Sequence, residues 1–193
     1  MLAILLSEAW TMGWTLRKKM RRNWKAACGI SLALIAGAAL AGGPKYTYSI
    51  TGKDGQDAGK VTFVAVKQGV RVKIVLKNIP FGEHGVHIHM NPVCDAPDFK
   101  GAGGHFNPDG KHHGYLNPAG HHNGDMPKNV SVGEDHMGEA TFVLDSISLD
   151  PAAPNSIFAN GGTSLIVHEK ADDEVTDPSG NSGNRIACAV IKQ

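Results

Sequence analysis

The stretch Val70-Arg71-Val72-Lys73-Ile74-Val75-Leu76-Lys77 alternates its side chains with a period of two. A strand sends successive side chains to opposite faces, so Val70, Val72, Ile74 and Leu76 share one face, and Arg71, Lys73 and Lys77 the other. That pattern predicts a strand with one buried face. Val61–Val66 precedes it, bounded by Gly59-Lys60 and Gly69. Ala140–Leu144, Ser164–His168 and Ile186–Ile191 are further short β-rich runs, and Tyr46–Ile50 reads as the first strand. No segment sustains a helical period. The 24 glycines and 10 prolines supply turns for many short strands and argue against a helical bundle. Such strands predict an all-β antiparallel sandwich or flattened barrel. Two connections are long, from Met90 to about Val130 and from Lys170 to Asn184. Long aperiodic connections in a compact domain are usually functional or disordered. These two hold nearly all the polar chemistry.

The N-terminal region follows other rules. Arg17, Lys18, Lys19, Arg21, Arg22 and Lys25 form a basic stretch, an uncharged run extends from Ala26 to Ala41, and Ala39-Leu40-Ala41 is a small-x-small cleavage pattern. The run falls short of the about 20 residues of a membrane span. We expect an export signal over residues 1–41, with Met1 or Met20 as start, and one domain over 42–193. Met20 would give a signal of about 22 residues, within the usual range. The Arg21-Arg22 pair leaves twin-arginine export open beside the general secretory route. Cleavage would remove six Lys/Arg and one acidic residue, leaving 13 basic and 17 acidic residues and a formal charge of −4. Nothing in that charge favours nucleic-acid binding, and no stable membrane association is expected once the signal is gone. Cys28 would leave too, and in an exported protein the remaining Cys94 and Cys188 most simply pair with each other.

All ten histidines lie between His84 and His168, and nine of them between His84 and His136. Such crowding points to metal ligation. His87-Ile88-His89 sits in a strand-like run, so both imidazoles face one way and Ile88 the other. His105 follows two glycines, and His112-His113 and His121-His122-Asn123-Gly124-Asp125 follow in turn. Histidines at loop spacings ending in His-x-x-Asp suit a closed zinc site of three nitrogens and one oxygen. Spacing alone does not choose between His112 and His113, or between His121 and His122. His168, within a strand, would by itself read as a structural histidine.

Taken in order, Gly85-Val86-His87-Ile88-His89, Gly104-His105-Phe106-Asn107-Pro108, His113-Gly114, His122-Asn123-Gly124-Asp125, Val167-His168-Glu169 and Gly183-Asn184-Arg185-Ile186-Ala187-Cys188 resemble the copper/zinc superoxide dismutases. The resemblance runs from about Val61 to Ile191, and the step from His89 to Cys94 is similar to the periplasmic bacterial branch. It implies an eight-stranded antiparallel Greek-key sandwich or barrel with two long functional loops, and disproportionation of superoxide to dioxygen and hydrogen peroxide. It implies copper on His87, His89, His105 and His168, and zinc on His105, His113, His122 and Asp125, with His105 shared. Asp172 resembles the carboxylate linking a copper histidine to a zinc histidine, and Arg185 the arginine that docks the anion beside copper. Cys94 and Cys188 match the family's disulfide. His84, His112, His121 and His136 have no family role and are expected to be solvated. Lys100 and Lys111 flank the metal loop and are candidates for a steering field. The resemblance also implies a periplasmic location, and because bacterial relatives are often dimers it leaves a homodimer open.

Overall fold

The computed structural model describes residues 43–193, and the export segment expected over 1–41 lies outside them. The strands are β1 (Lys45–Gly52), β2 (Asp57–Val66), β3 (Gly69–Lys77), β4 (Gly82–His84), β5 (Val86–His89), β6 (Val130–Val132), β7 (Met137–Leu144), β8 (Thr163–His168) and β9 (Arg185–Ile191). They lie side by side in the order β4-β6-β7-β3-β2-β1-β9-β8-β5, and every pairing is antiparallel. The described residues contain no α-helix, and none of their helices is long and apolar enough to cross a membrane. The connections β3→β4 and β7→β8 jump past neighbouring strands, as in a Greek key.

The two outermost strands of this sheet, β4 and β5, are consecutive in the chain and separated only by Gly85. The sheet therefore curls until its edges meet there. Gly85 donates its N–H to Lys170 O and accepts from the His168 N–H, both at 2.8 Å. A second tie joins the edges beyond it: Asn129, just ahead of β6, exchanges hydrogen bonds of 2.9 and 2.7 Å with the backbone of Asp172, beyond β8. Counting β4 and β5 as one strand bent at Gly85 recovers the expected eight; hydrogen bonding separates them into nine. β4 and β6 are three residues each, too short to show alternation in a sequence.

The period-two pattern of β3 is obeyed. Val70, Val72, Ile74 and Leu76 are buried against Val61 and Phe63 of β2, while Arg71 and Lys73 are exposed. Burying each such aliphatic side chain contributes about 1.5–3 kcal/mol. β5 and β8 depart from the pattern, being buried on both faces. Val86, Ile88, Leu165 and Val167 enter the barrel core. Their outer faces are covered by the long connections. Ile166 packs there with Phe99, Ala102 and Cys188, and the Cys94–Cys188 disulfide fastens the first connection to β9. A bridge closing that much chain contributes roughly 4–5 kcal/mol in the loop-entropy account.

Candidate metal centre

His87 and His89 project from the covered face of β5, and His168 ends the adjoining β8. His105 comes from the long connection and pairs through its backbone with His89. The ring of His105 stacks 4.1 Å from that of His87 and lies 4.8 Å from that of His89; His168 stands 4.9 Å from His87. These four donors form one close group. Each ring has one buried nitrogen without a hydrogen-bond partner: Nδ1 of His87 and Nε2 of His89, His105 and His168.

The opposite nitrogens explain why. His87 Nε2–H donates to Asp172 Oδ2 at 2.6 Å, His89 Nδ1–H to Gly103 O at 2.9 Å, and His168 Nδ1–H to Gly183 O at 3.3 Å. An acceptor on one side holds the proton there and leaves the lone pair on the other. Burial, then the charge of neighbouring His87, lowers the pKa of His105 to about 3 and that of His168 to about 2. Burial, then His105, lowers that of His89 well below its ordinary value. His89, His105 and His168 are thus neutral near pH 7, the form that binds metal. Leaving one buried polar atom unpaired costs about 1–3 kcal/mol, so four converging lone pairs make sense as a metal site. Imidazole donors suit copper.

A second cluster adjoins the first. Asp125 Oδ1 lies 2.8 Å from His105 Nδ1 and 3.3 Å from His122 Nδ1, and its Oδ2 lies 3.2 Å from His113 Nδ1. His122 Nδ1 is 3.2 Å from His105 Nδ1. A tetrahedral zinc ion with bonds near 2.0–2.1 Å would hold its donors roughly 3.3 Å apart. Nitrogens of His105, His113 and His122 all lie within 3.3 Å of one or other oxygen of the Asp125 carboxylate, and this donor set suits it. His87 also falls among the close donors of this group, with His105, His113 and Asp125. Its Nε2 is engaged by Asp172, so its one free nitrogen belongs with the first cluster, whereas His122 turns its Nδ1 to both His105 and Asp125.

The second cluster calls for positive charge. Burial opposes ionisation of Asp125, but hydrogen bonds with His105, His113 and His122 hold its pKa far below the usual carboxylate range. Burial likewise opposes the charged form of His113, yet hydrogen bonds to Asp125 and Asp172 raise its pKa to about 9. A divalent cation answers the same demand. Asp172 joins the clusters, with Oδ2 at His87 Nε2 and Oδ1 at 3.0 Å from His113 Nε2. Gly180, at φ +61°, lets the loop close on this carboxylate, since a Cβ there would come within 1.7 Å of Asp172 Oδ1.

A cavity of about 480 Å³ opens beside the first cluster, lined by His89, His105, His168, Met90 and Arg185 among others. The Arg185 guanidinium is half-buried and donates to Phe99 O at 2.7 Å and Gly103 O at 2.6 Å. Gly103 O thus serves Arg185 and His89 together. Lys100 lines an adjoining cavity with Arg185 and pairs with Asp98 at 2.9 Å, and Lys111 lies 3.7 Å from Asp109.

The expectation that the other histidines are solvated fails at His84. It is 2% exposed, with Nδ1 2.7 Å from His168 O and Nε2 2.8 Å from Pro80 O. The bend at Gly85 carries the end of β4 beneath the end of β8 and buries it. His121 is half-buried and stacks on Tyr115 with ring centres 3.8 Å apart. His112 is exposed beside Asp177, and His136 is exposed with Nδ1–H donating to Ile79 O. Asn123 gives no signal of its own in the sequence. It is buried, bonds Asp109 and Ser146, and so anchors the loop that carries His122 and Asp125.

A Greek-key barrel with two histidine clusters meeting at one ring defines a class of two-metal proteins. Residues 57–191 match the family described as copper/zinc superoxide dismutase (SODC). Superoxide dismutase [Cu-Zn] 1 of Aquifex aeolicus is 38% identical over 174 residues, covering 90% of this chain and 100% of the relative. The superoxide dismutase [Cu-Zn] of Deinococcus radiodurans is 36% identical over 177 residues, covering 86% and 92%. Among solved structures, a double mutant of a SOD-like protein from Bacillus subtilis superposes with a TM-score of 0.73 at 37% identity, over 76% of this chain and 97% of that one. The Cu/Zn superoxide dismutase of Brucella abortus gives 0.62 at 28% identity, over 77% and 100%. The chain belongs to the copper/zinc superoxide dismutase family. Copper and zinc are the metals of that family, and the two clusters here have the donors for them.

Proposed function

We propose that the chain is a superoxide dismutase. One observation carries the reading: four buried, unpaired imidazole nitrogens gather beside a cavity that three of their residues, His89, His105 and His168, line together with Arg185. His87, His89, His105 and His168 would hold copper, and His105, His113, His122 and Asp125 would hold zinc. His105 would be shared, since its Nε2 faces the first group and its Nδ1 the second. Copper held there would supply one-electron chemistry, by which two superoxide anions and two protons become dioxygen and hydrogen peroxide.

The protein's own groups serve that cycle in distinct ways. Arg185 offers a permanent charge to the anion, aimed by the carbonyls of Phe99 and Gly103. A domain of net charge −4 would repel superoxide at long range, so local positive potential in the cavity has to prevail. His105 Nε2, when not engaged by copper, would hold and return one of the two protons that hydrogen peroxide formation consumes. Asp172 keeps the rings of His87 and His113 in orientation across both clusters.

Export through the segment before Gly42 would bring the enzyme to the periplasm for antioxidant defence, with the disulfide formed there. A rival role in metal storage would use the remaining histidines, but His84 is spent on two carbonyls and His112 on Asp177. The test is reconstitution of the purified protein with both metals. One copper and one zinc per chain, with catalytic consumption of superoxide, are expected. A fully metallated protein that leaves superoxide to decay at its spontaneous rate would overturn the proposal.

A further inference from the structure

Met90 follows His89 and is about half exposed, at 49%, where the chain leaves β5. It lines the same 480 Å³ cavity as His89, His105, His168 and Arg185. The four nitrogens that would take copper are sealed from solvent. An ion approaching through the cavity therefore meets something else first. Among the described residues lining it, Met90 brings the one sulfur. A thioether is a soft donor that selects Cu(I), while imidazole accepts either valence.

The side chain also has a prepared place. Gly103 has φ +75°, and a Cβ there would lie 2.7 Å from Met90 Cγ and 3.1 Å from its Sδ. The absent side chain leaves the room in which the thioether rests. The carbonyl of the same residue accepts from His89 and from Arg185, so the sulfur packs beside the peptide that orients the neighbouring ligand ring.

We infer that Met90 is the docking ligand through which cuprous copper reaches its site. Its sulfur captures Cu(I) at the cavity mouth and passes it to His89 Nε2, the copper–sulfur bond breaking as the copper–nitrogen bond forms. No electron is transferred, and the thioether is regenerated. The inference rests on the reading of the four histidines as the copper site.

Zinc-loaded, copper-free protein is offered Cu(I) held by bicinchoninate, and loss of that complex's colour gives the transfer rate. In a parallel series, Cu(II) is offered as its glycine complex. Met90→Leu keeps the volume and removes the soft donor; Met90→Gln does so with a polar side chain. Both variants should slow Cu(I) transfer several-fold while leaving Cu(II) loading and final copper content unchanged. Equal Cu(I) rates in variant and wild type would overturn the inference alone. Slowing of both valences alike would also overturn it, assigning Met90 to the shape of the mouth. A wild-type protein that takes up no copper would overturn this inference and the copper-site reading together. Superoxide is absent from the assay, so lack of dismutation cannot be mistaken for any of these results.

Discussion

The two clusters are built on different foundations. In the first, His87 and His89 stand on β5 and His168 on β8, held by the ladder between those strands, and His105 is bridged to His89. In the second, His105, His113, His122 and Asp125 all come from the connection between β5 and β6. Asp172 reaches one ring of each set; backbone carbonyls orient His89 and His168 of the first, whereas the second is arranged around its own carboxylate, Asp125. Strand-borne donors keep their places without an ion. Loop-borne donors around a buried charge should depend on one. Zinc should therefore organise its region, while copper should enter a site already formed.

The sharpest way to break that comparison is Asp125→Ala. Removing the one anionic donor should weaken zinc binding by more than about 100-fold, beyond the loss usual for a residue that only supports a ligand. Copper should still bind, and activity should become more pH-sensitive as His105 loses its partner metal. Metal analysis after dialysis decides it; unchanged zinc content would remove Asp125 from the site.

Arg185→Ile tests the strand side, where the charge is separate from the ligands. Copper and zinc content should stay near normal while turnover falls roughly 100-fold, the scale for losing one preorganised electrostatic group. Its salt dependence should also flatten, because screening slows a steered encounter. Arg185→Lys should keep part of the activity, since charge survives without the planar fork. If metal content falls with activity, Arg185 braces the loop and does not act on the anion.

Asp172→Asn touches both sides at once. An amide supports the neighbouring rings less well than a carboxylate, so zinc affinity should drop by about 10–100-fold. The strand-borne cluster should lose less. Equal losses of copper and zinc, read by competition with chelators, would erase the distinction.

The smallest effect concerns the metal-free protein and pH. His105 and His168, with pKa lowered to about 3 and about 2, are neutral when folded and titrate near 6.5 when unfolded. The unfolded chain therefore takes protons first, and stability is lost as pH falls below about 6.5. The depressed Asp125 adds to the loss at still lower pH. His113, raised to about 9, acts in reverse, its contribution fading as pH rises through that value. The melting temperature of metal-free protein should fall from neutral toward acid pH. A rise on acidification would contradict the buried neutral state of these rings.

Much of this was legible in the sequence because it is local. The alternation of Val70–Leu76 settles a face without any partner, and His87-Ile88-His89 places two donors together by the geometry of a strand. The choice of His113 over His112 comes only with the family resemblance, because adjacent loop histidines look alike until the backbone is drawn. His84 escapes a sequence reading for a different reason. One of its partners, His168 O, is 84 residues away, and a three-residue strand gives no periodicity to announce burial. Asn123 is a similar case, its bonds to Asp109 and Ser146 lying 14 and 23 residues off.

The meeting of β4 and β5 at Gly85 has a mechanical meaning. No ladder of strand hydrogen bonds crosses from the β4–β6 edge to the β5–β8 edge, so the barrel is a band closed by a buckle. The buckle consists of Gly85, the Asn129–Asp172 pair, and the loop whose histidines reach His87 from the far side. Metal ions across that join would set the circumference of the barrel as well as the chemistry. Loading them should therefore slow amide exchange in Gly82–His84 and Val130–Val132, strands that carry no ligand.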